Sequence, residues 1–153
     1  MPITARRSQF LRPFLDDFNQ PKIVYGQFQD DAEYAFAEGG VYVSSNEYIL
    51  ICHHYSAKCL LAFLNSSVVK WLLGKITGNL GGNAKIGQKS NFIKLSIPIL
   101  PATEQKKFDR LVDAILSYKQ QQLSTLDIEN EINALCYQAY HLLPEEIDCI
   151  ERD

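Results

Sequence analysis

Residues 74–91 hold five of the chain's eight glycines, three lysines and three asparagines, and no acidic residue. Side chains of this kind suit the reading of duplex DNA. Arg or Lys pairs with the acceptor edge of guanine and Asn or Gln with adenine, while further cations meet phosphate oxygens. Glycines let the backbone come close to a groove. The candidate contacts are Lys75, Asn79, Asn83, Lys85, Gln88, Lys89 and Asn91. Composition alone leaves a plain alternative open, because Gly, Asn and Lys are also ordinary residues of a solvated loop. Lys22 and Arg12, with Arg6 and Arg7 nearer the start, are further candidates for phosphate contact. Isolated cations on a surface are more often simply solvated.

Other chemistry finds less support. Gly81-Gly82 lies in no Gly-Lys-Ser/Thr phosphate loop, and its segment follows a helix rather than a strand. Cys52, His53, His54 and Cys59 do not have a standard zinc spacing, and adjacent histidines on a strand point to opposite faces. The four cysteines read as reduced thiols. His53, His54 and His141 stand in no arrangement that certifies a nucleophilic pair. The acid pairs Asp16-Asp17 and Asp30-Asp31 precede turns and read as solvated. No catalytic residues and no metal site are expected.

The elements that would hold such a loop can be read on either side of it. Lys22 to Phe28 is rich in β-branched and aromatic residues. Tyr34–Ala37 and Val41–Val43 flank Glu38-Gly39-Gly40, which predicts a tight hairpin. Tyr48 to Cys52 is an unbroken apolar run, expected to be a strand covered on both faces. Ser56 is placed to cap a helix through Leu64, Asn65-Ser66-Ser67 to interrupt it, and Val68 to Leu73 to resume it in the core. Beyond the loop, the prolines at 98 and 101 keep Leu95 to Pro101 extended. Thr103 is expected to cap a helix burying Phe108, Leu111, Val112, Ile115 and Leu116. A second helix from Ser124 or Thr125 buries Ile128, Ile132, Leu135, Cys136 and Ala139 and forms an antiparallel hairpin with the first. Tyr137 and Tyr140 are expected to pack rather than stack on bases. Pro144 suits the first turn of a short final helix.

The fold class is therefore α+β: a small, mostly antiparallel sheet with a packed core helix, then a helical hairpin and a short final helix. The expected organisation is a lead-in over 1–21, a strand-rich recognition part over 22–101 and a helical part of the same domain over 102–153. A chain of 153 residues is enough for one core. The net charge of −3 is uneven: residues 1–96 carry ten Lys/Arg against seven Asp/Glu, and residues 97–153 carry five against eleven. Phosphate binding depends on a local basic surface, so the acidic end does not oppose it. No apolar stretch has the length of a membrane span, and no secretory signal is visible, so the expected location is the cytoplasm.

Several segments in order resemble the TaqI-like C-terminal specificity domain of adenine-specific DNA methyltransferases and fused type II restriction-modification enzymes. They are Lys22 to Tyr25, Phe36 to Tyr42, Leu60 to Ser66, Leu95 to Pro101 with Glu104-Gln105 after it, and Ala134 to Tyr140 with Glu145-Glu146-Ile147. The stretch through Pro98, Pro101 and Gln105 is also similar to the recognition subunits of type I restriction systems. Family members often carry arginine or aromatic residues after the double glycine, where this chain has Asn83-Ala84-Lys85-Ile86. The resemblance implies a module that docks on double-stranded DNA and reads its target. In the parent enzymes a separate domain binds S-adenosylmethionine and methylates adenine. Its Asn/Asp-Pro-Pro-Tyr/Phe motif is absent, for the chain has no Pro-Pro pair. By the same resemblance the acidic helices act as spacers or dock on that methyltransferase domain; read from the residues alone, they can equally be a self-contained hairpin that completes the fold. A role as a protein-docking module stands as the alternative.

Overall fold

In a computed structural model that describes residues 15–26, 33–77 and 89–153, three short strands and six helices follow a helical turn at 15–18. β1 (Lys22–Gly26) is the central strand, flanked antiparallel by β2 (Tyr34–Ala37) and β3 (Glu47–Leu50). Period-2 alternation decides which face is buried. Ile23 lies between Phe36 and Leu50, and Tyr25 between Tyr34 and Tyr48, all turned toward the helices. The three tyrosines form a cross-strand row, with Tyr25 5.4 Å from each neighbour between ring centroids. Such pairs are the stabilising units of a small sheet.

The predicted hairpin at Glu38-Gly39-Gly40 does not form. The strand beside β2 is β1, and β3 lies on the opposite edge, so residues 38–46 cross from one side of the sheet to the other. The glycines serve that crossing instead. A Cβ on Gly39 would lie 2.3 Å from the Asn19 carbonyl oxygen, and Gly40, at φ +84°, donates its N–H to Phe18 O at 2.8 Å. Phe18 and Tyr42 pack ring to ring beside this contact, with centroids 5.0 Å apart. β3 is correspondingly an edge strand. Tyr48, Ile49 and Leu50 are half-buried, not covered on both faces as the apolar run suggested.

Helix α1 (Ala57–Asn65) lies on the tyrosine face and buries Cys59 and Leu61 to Leu64. Ser56 caps it, its hydroxyl accepting from Cys59 N–H at 3.2 Å. At Ser66 the backbone turns extended, and α2 (Ser67–Thr77) leaves at 66° to α1. The Ser66 hydroxyl donates to Phe63 O at 2.6 Å, and Asn133 Oδ1 accepts from Ser67 N–H at 2.9 Å, which satisfies one carbonyl and one N–H left open by the break. No single helix is long and apolar enough to cross a membrane among the described residues.

A short helix, α3 (Lys89–Phe92), leads into the extended stretch ending at Pro101. The helical hairpin follows as α4 (Ala102–Gln120) and α5 (Leu126–Ala139), and α6 (Pro144–Arg152) ends the fold. Phe108 and Val112 of α4 and Ile132, Cys136 and Tyr137 of α5 enter the same core as α1 and α2. The periodicity is as expected, but the cap of α4 is not Thr103. Pro101 stands at that position without a side-chain bond, and Thr103 lies inside the first turn. Pro can serve there because its locked φ is already that of a chain entering a helix. Pro144 occupies the first turn of α6, where Glu146 returns its carboxylate to Leu143 N–H at 2.8 Å. The α+β class with C-terminal helices is the observed fold.

Candidate nucleic-acid interface

The two stems of the Gly/Asn/Lys stretch are built differently and meet. The outgoing stem is the end of α2, where the Thr77 hydroxyl donates back to Leu73 O at 2.9 Å. The returning stem is α3, which packs on α2 and is fixed by Phe92. The Phe92 ring stacks on Tyr25, 5.6 Å between centroids at 11°, and lies 6.2 Å from Tyr34. Thus the aromatic row of the sheet positions α3, which follows the stretch in sequence. Burial pushes the Tyr34 phenol up to about 12, and its hydroxyl has no hydrogen-bond partner among the described residues. Ile93 and Lys94 follow Phe92 at the surface.

The candidate residues separate on this frame. Arg12, Asn79, Asn83, Lys85 and Gln88 lie outside the described residues, as do Arg6 and Arg7. Lys89 opens α3, and Asn91 sits half-buried within it. Lys75 is exposed in the last turn of α2, on the same face as Trp71 one turn earlier. Its ammonium lies 5.0 Å from the Trp71 ring centroid and donates to Asp153 Oδ2 at 2.6 Å. The Trp71 indole N–H donates to the same oxygen at 2.9 Å. These two donors hold the Asp153 carboxyl below its ordinary range. Sequence reading singled out Lys75 alone. The Trp71–Lys75 spacing of one helical turn was legible, but Asp153 is too distant in the chain to be associated with it.

Lys22 requires correction as a phosphate ligand. It is 0% exposed, and its ammonium donates to Phe18 O at 2.9 Å, Glu38 O at 3.1 Å and Gln20 O at 3.3 Å. All three ammonium protons have acceptors in the chain, so the residue ties the 15–20 segment and the crossover to the central strand.

Two amides that resembled family motifs have structural tasks. Asn65 accepts from Tyr34 N–H at 3.0 Å and donates to Tyr34 O at 2.9 Å, pairing with the outer edge of β2 as a neighbouring strand would. Gln105 accepts from Ser56 N–H and donates to Leu100 O, both at 2.8 Å, so it clamps the extended stretch to the start of α1. The Ser56 hydroxyl donates to the Asp109 carboxylate at the same junction. Tyr140 donates to Ser96 O at 2.7 Å and Tyr55 to Pro98 O at 3.2 Å, holding the stretch from two more sides. Tyr137 and Tyr140 are packing residues, the latter edge-on to Phe63.

The cysteine–histidine segment is dispersed. Cys59 is buried with its thiol pushed up to about 11 by burial, whereas His53 and His54 are exposed. Among the described residues no group of three His, Cys, Asp or Glu is placed to hold a metal ion.

A family model for the TaqI-like C-terminal specificity domain matches residues 11–97, more than half of the chain. The chain belongs to that family. Among the curated proteins, none matches it. The match takes in the sheet, the bent pair α1–α2, the segment 78–88 and α3, and ends one residue before Pro98. As a TaqI-like specificity domain the chain is a DNA target-recognition module of restriction-modification systems, and such a domain is not a catalyst by itself. The helices α4 to α6 lie beyond the matched residues, as does most of the stretch through Pro98, Pro101 and Gln105 that resembles type I subunits.

Proposed function

We propose that this TaqI-like specificity domain reads a defined site in double-stranded DNA for an adenine-specific methyltransferase of a type II restriction-modification system, working in the cytoplasm. The family membership carries the reading. It is supported by the placement of an acid-free segment, 78–88, between two adjoining stems that carry Lys75 and Lys89. In this reading Lys75, Asn79, Asn83, Lys85, Gln88, Lys89, Asn91 and Arg12 supply contacts to bases and phosphates, and Lys22 does not. S-adenosylmethionine and the methyl transfer belong to a separate catalytic domain, with this module needing no cofactor of its own. The acidic helices α5 and α6 face that catalytic domain, a role supported by α6, which has no fully buried residue.

The test is a titration of mixed-sequence and target-containing duplexes at increasing salt. Each phosphate contact contributes about 0.9 to the slope of log affinity against log salt concentration. Replacing Lys75, Lys85 and Lys89 together by Glu is expected to abolish binding while the circular dichroism of the fold persists. Binding that is absent at low salt, or indifferent to salt and to these charges, overturns the proposal and leaves a protein-docking module.

A further inference from the structure

We propose that the Trp71 indole N–H and the Lys75 ammonium form a two-donor seat for one backbone phosphate of the duplex, held in the free domain by the Asp153 carboxylate. The inference rests on the DNA-recognition reading and adds to it a residue, Trp71, and a competing occupant.

The geometry carries the argument. Trp71 and Lys75 are one turn apart on α2 and converge on a single oxygen, Asp153 Oδ2, at 2.9 and 2.6 Å. An anionic carboxylate oxygen and a phosphate oxygen present the same acceptor to such donors. Two features besides the Asp153 carboxylate orient the donors. The Trp71 ring is half-buried, which restricts the direction of its N–H, and the Lys75 ammonium lies 5.0 Å from the ring centroid, which adds a cation–ring contact to its ion pair. The occupant, by contrast, is loosely held. The Lys75 and Asp153 side chains are 56% and 52% exposed, and such pairs are weak and screened by salt. The location also fits, because Lys75 stands in the last turn of α2, next to the departure of the basic segment. A duplex lying on that segment brings phosphates to the end of α2, and one of them takes the place of the carboxylate.

Trp71 is the only tryptophan in the chain, so its indole N–H gives one resolved NMR signal. The experiment uses the whole chain, a fluorescent mixed-sequence duplex at low salt, and the variants D153N, W71F, K75M and K75M/D153N. D153N is expected to bind about threefold more tightly and W71F about threefold more weakly, the scale of one exposed ionic contact. The gain from D153N should vanish in the K75M background, and the indole signal should shift on adding duplex. If the duplex binds but D153N and W71F match the parent and the indole signal stays in place, the seat is refuted while target recognition stands. A gain from D153N that persists in K75M also refutes it, because the effect is then one of net charge. Failure of every variant to bind at low salt overturns both readings.

Discussion

Replacing Lys22 by Met separates a structural cation from a phosphate ligand. Methionine keeps an unbranched apolar stem of similar reach, so burial along the side chain is largely preserved. What is lost is an ammonium with bonds of 2.9, 3.1 and 3.3 Å to the carbonyls of Phe18, Glu38 and Gln20. Bonds involving a charged group contribute about 1.5–3 kcal/mol each where the orphaned partner stays dry. Here Glu38 is exposed and Phe18 and Gln20 are half-buried, so water can recover part of that loss. The net destabilisation should be about 2–3 kcal/mol, which lowers the melting temperature of a domain of this size by about 5–10 °C. Urea unfolding should show the midpoint falling with the m-value unchanged. Duplex affinity and its salt slope, measured well below the melting point, should equal those of the parent. A K22M protein that unfolds like the parent, yet binds DNA with a salt slope reduced by about one, would refute the buried-cation argument.

Asn65→Ala should cost about 1–2 kcal/mol, since both edge groups of Tyr34 lose their partner; faster hydrogen exchange at the Tyr34 amide would report it, and an unchanged rate would contradict the edge pairing. Native-state alkylation should modify exposed Cys149 first, while Cys59 and Cys136, whose thiols burial pushes up to about 11 and about 12, react only on unfolding. Mass spectrometry of the labelled peptides decides this. The Asp153 carboxyl is held below its ordinary value by Lys75 and the Trp71 N–H. Its contact is therefore complete above the unfolded-state value and is lost as pH falls through the lower, folded-state one. The indole N–H signal of Trp71 should change with that acidic midpoint in the parent and stay flat over the same range in D153N.

Local signals in the sequence were reliable where a few neighbouring residues determine the outcome. The Ser56 cap, the break at Ser66, the buried stripes of α4 and α5 and Pro144 at the start of α6 all follow from nearby residues. The hairpin at Gly39-Gly40 failed because strand order depends on partners elsewhere in the chain. β1 competes for the edge of β2, and Asn19 requires a residue without Cβ at position 39. Lys22 misled for a similar reason, since its three acceptors come from both sides of the strand and no local pattern marks a buried lysine. At the candidate interface, the composition of 74–91 was conspicuous, but the Trp71–Asp153 contact joins residues far apart in sequence.

The anchoring of Phe92 on Tyr25 has a consequence for how this module could change its target. The returning stem is secured by the sheet and the outgoing stem by the turn hydrogen bonds of α2, contacts made by residues outside 78–88. The cost of closing a loop grows only with the logarithm of its length, about 0.6 kcal/mol per doubling. A cassette exchanged between positions 77 and 89 would therefore tax the core little, and new specificities could be grafted there as interchangeable inserts on one scaffold.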